Sequence, residues 1–231
     1  MTVTTTTTTR TLKTVLFMGS ARDITPPWGG TSRLGDGILK WVKNEVSKRS
    51  SSLGDIENIT HELTVFDPLE VFGEGGALAD SGGEMKTPHF FFKPGEAPAG
   101  MDAMAKAIRE ADCYLIVTPE YNHSLPPALS SMMGHFGGSN YAYKPSGIIT
   151  YSVSPYGGAR AAVALRPFLS ELGCLPVSTL ACFSSVGDIF NEDGSVKDEE
   201  NRQLKQLDNV LNQLEWFAVA CANQRDASGI P

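Results

Sequence analysis

No two of the four cysteines stand in a CxxC pair, and the four histidines form neither HxxxH nor HExxH. A zinc site is therefore not expected. Cys113, Cys174, Cys182 and Cys221 read as reduced thiols of a cytoplasmic protein, not as a disulfide framework. No run of 18 apolar residues is present, and the threonine-rich start (Met1-Thr2-Val3, then Thr4 to Thr9) lacks an apolar h-region. Neither a membrane span nor a secretory signal is expected. Basic residues are in deficit: 19 Lys and Arg against 26 Asp and Glu leave a net charge of −7. Nucleic-acid binding needs a basic face, so that partner is not expected. A bound phosphate would have to be met by local donors. Three motifs are also missing: GxGxxG of dinucleotide sites, GxxxxGK(S/T) of NTPases and GxSxG of serine hydrolases.

What is present is a chain of 231 residues, 41% hydrophobic and 19% charged, enough for one packed domain. Residues 1–13 read as a disordered Thr-rich tail and residues 14–223 as the domain. Strand and helix patterns alternate along it. Strands are expected at Thr14 to Gly19, Glu62 to Phe66, Cys113 to Val117, Gly147 to Val153 and Val177 to Phe183. Helical spacing is carried by Leu34, Ile38, Trp41, Val42 and Val46, and by Met101, Met104 and Ile108. It returns in a long helix over Leu125, Leu129, Met132, Met133 and Phe136. Two more runs follow, one over Val163 to Leu172 and one over Leu204 to Phe217. Five strands with helical crossovers imply an α/β three-layer sandwich, one parallel sheet with helices on both faces. The flavodoxin-like order 2-1-3-4-5 is the natural choice.

Ligands of such sheets bind at the carboxyl ends of the strands, at the point where strand order reverses. Three strand ends here are rich in Gly, Ser and aromatics. The first is Gly19-Ser20-Ala21-Arg22, which opens a helix and can offer N–H groups, hydroxyls of Ser20 and Ser32, and the charges of Arg22 and Arg33 to a phosphate. The second is Thr118-Pro119-Glu120-Tyr121-Asn122, behind a buried apolar strand. His123 after it reads as a cap or solvent-facing group, not as a catalytic base. The third is Ser152-Val153-Ser154-Pro155-Tyr156-Gly157-Gly158, where glycine allows close backbone approach to a ring. Each alone is compatible with an ordinary turn. Together they suit a flat, phosphorylated, aromatic ligand.

In Gly19-Ser20-x-Arg22 with Ser32, in Thr118 to Asn122 and in Tyr156-Gly157-Gly158, the chain resembles the NADPH-dependent FMN reductase family. This flavodoxin-like group includes quinone, chromate and azo reductases. The resemblance implies bound FMN, with its phosphate on Ser20, Arg22, Ser32 and the backbone of Arg33 and Leu34. It implies an isoalloxazine ring against Pro119, Glu120, Tyr121, Asn122, Tyr156 and Gly157, with Ser154 and Gly158 beside them. It implies NADPH or NADH as hydride source, a small-molecule electron acceptor and a homodimer or homotetramer. No side-chain acid or base is required for the hydride step, so no catalytic residue is named. The rival of another class is a flavodoxin-like electron carrier or redox sensor that acts through a protein partner. The long Gly- and Pro-rich segment at residues 70–100 is expected to be functional or disordered. Its Phe90-Phe91-Phe92 is expected to dock on a neighbouring subunit or to cover the site.

Overall fold

A computed structural model of the chain describes residues 8–22, 33–81 and 87–230. Six strands form one sheet in the order β2-β3-β1-β4-β5-β6. They are β1 (Thr9–Met18), β2 (Ser51–Leu53), β3 (Ile56–Phe66), β4 (Cys113–Pro119), β5 (Lys144–Tyr151) and β6 (Cys174–Phe183). All neighbours pair in parallel except β2, which runs antiparallel to β3. The sheet is therefore six-stranded and mixed, which corrects the expected five-stranded parallel sheet. The extra strand comes from a tight turn in which Gly54 adopts φ +57° and Leu53 pairs with Ile56. Glycine reaches that left-handed conformation at no steric cost, and the chain folds back on itself there.

The first strand begins at Thr9, so residues 9–13, expected in the tail, are strand instead. They pair with β3 alone, from Thr9 opposite Asn58, and only Leu12 among them is buried, while β4 joins β1 only from Thr14 onward. A half-strand flanked on one side stays polar and carries no apolar run. Threonine, β-branched, suits it.

Side chains along each parallel strand alternate between two cores. Leu16, Leu115 and Ile149 face one core with α1 (Gly35–Lys48) and α7 (Lys205–Ser228). Phe17, Ile116 and Ile148 face the other with α3 (Ala99–Glu110), α4 (Pro127–Gly134) and α5 (Ala159–Glu171). Helices thus cover both faces. Two short helices, α2 (Pro68–Val71) and α6 (Val186–Ile189), follow β3 and β6. The last helix runs to Ser228, beyond the expected domain end at residue 223.

The helix expected from Leu125 to Phe136 is shorter. Pro126 and Pro127 set its start, and it closes at Gly134. Its apolar positions Leu129, Met132 and Met133, with Phe136 just beyond, are all fully buried. Between residues 70 and 100 lie short 3-10 turns at Ala79–Ser81 and His89–Phe91. Phe92 packs on the second core, whereas Phe90 and Phe91 are exposed, Phe91 at 70%. Phe90 lies beside Gly137, past the C-terminal end of α4.

A polar cluster ties α7 to the sheet edge. Glu215 accepts from Arg49 Nε at 2.6 Å and from the Ser51 hydroxyl at 2.6 Å. It also bonds His61 Nε2 at 3.1 Å, and His61 Nδ1 bonds the Thr14 hydroxyl at 2.8 Å.

Candidate functional site

The strand ends meet because β1 and β4 exit in contact. Gly19 donates to the Val117 carbonyl at 2.8 Å, and a Cβ on Gly19 would lie 2.0 Å from Thr118 Oγ1. Only glycine permits that approach. Next in the chain, the Ser20 and Tyr121 hydroxyls share a hydrogen bond of 2.9 Å, which joins the first loop to the second. The Arg22 guanidinium lies 4.3 Å over the Tyr121 ring, within range of a cation–π attraction.

Arg33, by contrast, is spent on the protein itself. Its Nε donates to Asp36 at 2.5 Å and one terminal nitrogen donates to the Ser20 carbonyl at 2.5 Å. Both terminal nitrogens reach the Asp67 carboxylate. Burial disfavours its charge, but the bonds to Asp67 and Asp36 outweigh that and hold its pKa above the ordinary arginine value. A side chain so engaged leaves its backbone, not its guanidinium, for a ligand.

The second loop is a tight turn. Tyr121 and Ser124 exchange backbone bonds of 3.0 and 2.9 Å, and Asn122 and His123 between them adopt φ of 50° and 62°. Two left-handed residues in succession make the turn costly for a non-glycine pair, though asparagine and histidine tolerate that region better than most residues. Glu120 does not point freely at a ligand. It accepts from Arg160 Nε at 2.6 Å and from the Arg160 backbone N–H at 3.1 Å, tying the loop to the start of α5. Burial raises its pKa, but the Arg160 bonds outweigh this and hold the carboxyl below its usual range. Arg160 in turn stacks 4.7 Å from the Tyr156 ring.

In the third loop Gly157 and Gly158 have φ of 60° and 76°. A Cβ on Gly157 would meet the Cys182 carbonyl at 2.8 Å, and one on Gly158 would meet Thr150 Cβ at 2.9 Å. Their close approach is to β5 and β6. Thr150 confirms the contact by donating to the Gly157 carbonyl at 2.8 Å.

A cavity of about 480 Å³ opens between these loops. Of the residues expected to bind the cofactor, it is lined by Ser20, Arg22, Arg33, Leu34, Pro119, Glu120, Tyr121 and Asn122. Ser154, Tyr156, Gly157 and Gly158 stand outside that lining, and Ser32 lies outside the described residues. Phe90 to Phe92 do not line it either, so among the described residues they are not its cover. Sequence reasoning placed Ser152 and Val153 in the third loop without naming them as ligand contacts, and it missed Gly35, Pro127 and Tyr151. The signal for Tyr151 was its position at a strand end, hidden because the strand was extended two residues too far. A second hollow, about 630 Å³, adjoins the first across Arg22 and Tyr121 and is walled by Pro68, Leu69, Phe72 and Pro126.

The arrangement fits a phosphorylated aromatic ligand. The volume is in the range of small-molecule sites. The N-terminus of α1 lies at the cavity without a side-chain cap, and unfilled helix N–H groups attract anions. Pro119, Tyr121 and Pro127 supply flat apolar surface. The buried Tyr151 hydroxyl facing the cavity has no partner among the described residues. No group of three or more His, Cys, Asp and Glu is set to hold a metal among the described residues. Among them, too, no helix is long and apolar enough to cross a membrane.

Relatives point the same way. The chain is 33% identical over 125 residues to a quinone reductase of Escherichia coli K12, covering 52% of this chain and 64% of that one. It is 30% identical over 113 residues to an NAD(P)H-dependent FMN reductase of Pseudomonas aeruginosa, covering 47% and 61%. The chain thus spans less than two thirds of the curated relatives it matches. Among solved structures, the flavoenzyme NAD(P)H:(acceptor) oxidoreductase FerB of Paracoccus denitrificans superposes with a TM-score of 0.61 at 20% identity, over 89% of this chain and 98% of that one. That likeness establishes the flavodoxin-like α/β fold. The family description NADPH-dependent FMN reductase matches residues 12–187, most of the chain and all three strand-end loops, and the chain belongs to that family.

Proposed function

We propose that this chain is an FMN-dependent oxidoreductase that takes hydride from NADPH or NADH and reduces a small acceptor such as a quinone, free flavin or metal oxyanion. The observation that carries the reading is the Ser20–Tyr121 hydrogen bond, which closes two strand-end loops around one cavity at the start of α1. Bound FMN supplies the hydride chemistry, and the protein supplies binding and orientation.

In this reading Ser20, Arg22 and the backbone of Arg33 and Leu34 hold the phosphate, with Ser32 as a further donor. Pro119, Tyr121 and Asn122 bear on the ring system. Glu120 acts through Arg160, keeping the second loop against α5. Ser154, Tyr156, Gly157 and Gly158 border the ring from the third loop. The four cysteines are free thiols, which supports a reducing compartment, and the cytoplasm is the proposed location. A homodimer or homotetramer is the proposed assembly, with the second hollow beside α4 as part of the contact.

Two measurements test the reading. The purified protein should carry a yellow chromophore that heat releases as FMN. It should also oxidise NADPH in steady state when a quinone is added. FAD in the released fraction would overturn the cofactor. Tight FMN with no NADPH turnover would favour an electron carrier instead.

A further inference from the structure

Tyr151 ends β5 and is only 2% exposed, with its side chain in the core shared with α1. Its hydroxyl oxygen is buried and has no hydrogen-bond partner among the described residues. The Ser20 hydroxyl lies close enough to lower the phenol's pKa as a weak side-chain hydrogen bond would, but it falls short of hydrogen-bond geometry and is itself bonded to Tyr121. A buried donor left unsatisfied carries its full desolvation penalty. Such groups are rare in folded proteins and call for an explanation.

The position of the oxygen supplies one. A Cβ built on Gly35, the first residue of α1, would lie 2.1 Å from it, so the phenol sits directly under the helix start. Tyr151 and Gly35 both line the 480 Å³ cavity. The helix offers N–H groups and its positive end on one side, and the phenol offers an O–H on the other. Both are donors; among the described residues the phenol has no partner and α1 has no side-chain cap, while the Asp36 N–H donates to the Arg33 carbonyl at 3.0 Å. What satisfies a cluster of donors at a helix N-terminus is an anion.

We propose that Tyr151 is a binding residue for the phosphate group of the ligand in this cavity, its hydroxyl donating to a phosphate oxygen at the N-terminus of α1. The inference deepens the FMN reading and rests on it for the identity of the ligand. Burial keeps the phenol protonated well beyond its ordinary range, so it remains a donor at every working pH.

The experiment compares wild type with Tyr151→Phe, which keeps the ring packing and removes only the oxygen. FMN and riboflavin, which lacks the phosphate, are titrated by flavin fluorescence, and thermal unfolding of the flavin-free protein is followed. The expected result is a loss of FMN affinity of roughly tenfold or more, with riboflavin affinity unchanged. The flavin-free variant should unfold at or above the wild-type temperature, since an unsatisfied group has gone. Unchanged FMN affinity, or equal losses for both flavins, would overturn the assignment. If wild type binds no FMN, the cofactor reading falls, and inorganic phosphate decides the Tyr151 contact by itself. A phosphate-induced rise in unfolding temperature present in wild type and lost in Tyr151→Phe upholds it. No rise in wild type, or equal rises in both proteins, overturns it.

Discussion

Arg33 and Asp67 are joined by two hydrogen bonds between the guanidinium and the carboxylate, deep under the first loop. Asp67 follows β3 and also caps α2, accepting from the Leu69 N–H at 3.0 Å. The pair therefore fixes the start of α1 to the end of a neighbouring strand. Arg33→Ala would leave Asp67 as a buried, uncompensated charge and would also strip the half-buried Asp36 of its partner. We expect a stability loss of about 3–5 kcal/mol in urea unfolding. A loss under 1 kcal/mol would mean that the pair is not the brace described.

Arg22 has no such ties to carboxylates among the described residues, and its charge remains available at the cavity. Arg22→Ala should weaken FMN binding by roughly tenfold to a hundredfold, the worth of a charge-assisted phosphate bond. Its stability should change little. Equal FMN affinities in a fluorescence titration would show that the cation serves only the Tyr121 ring.

Gly35 has no room for a side chain: beyond the Tyr151 oxygen, a Cβ would also meet Met18 Cε at 2.4 Å. Gly187→Ala is the natural control, because its Cβ would meet only Leu34 Cδ1 at 3.5 Å. Gly35→Ala should displace the ring or the helix start and reduce FMN affinity, while Gly187→Ala should be neutral or slightly stabilising. Matching FMN affinities for the two variants would contradict the close packing at the cavity floor.

Glu215 sets an acid limit on stability. Burial alone would raise its pKa, but bonds from His61, Arg49 and Ser51 outweigh it and bring the value from 4.5 down to about 2. A depressed carboxyl contributes its full stabilisation above the unfolded value of 4.5 and loses it as pH falls through 2. The contribution at neutral pH is on the order of 3 kcal/mol. Urea midpoints should therefore fall between pH 5 and pH 2, and Glu215→Gln should flatten that fall. An unchanged pH profile in the variant would assign the acid limb to other carboxylates.

Assembly can be weighed directly. Phe90 and Phe91 are exposed at one end of α4, and the hollow walled by Leu69 and Phe72 lies at the other. Burying such a flank in a dimer would cover on the order of 1,200–2,000 Å². Light scattering at micromolar concentration should give a mass of at least twice the chain's 24.8 kDa. A mass of one chain with full FMN occupancy would refute the shared flank.

The parts legible in the sequence were those whose pattern comes from full burial. Cys113 to Val117 is a continuous apolar run because β4 is covered on both faces, and the loop behind it was readable for the same reason. Where burial is partial, the pattern weakens. The polar half of β1 and the three-residue β2 carry little hydrophobic signal, and both were missed. The helix after Pro127 was overextended because Phe136 keeps the apolar spacing although the helix has already closed at Gly134. Within the site, residue type left the partners of two groups open. Arg33 read as a phosphate donor, but its guanidinium is taken by two carboxylates. Gly157 and Gly158 read as ligand contacts, and the structure adds that their missing side chains make room for neighbouring strands. A sequence reports that a position must be small or charged. It does not report for whose benefit.

The two hollows at the strand ends share Arg22, Tyr121 and Pro127 as lining. They meet at one partition: the same phenol that is bonded to Ser20 is a wall of both, so the contents of either chamber bear on one shared side chain.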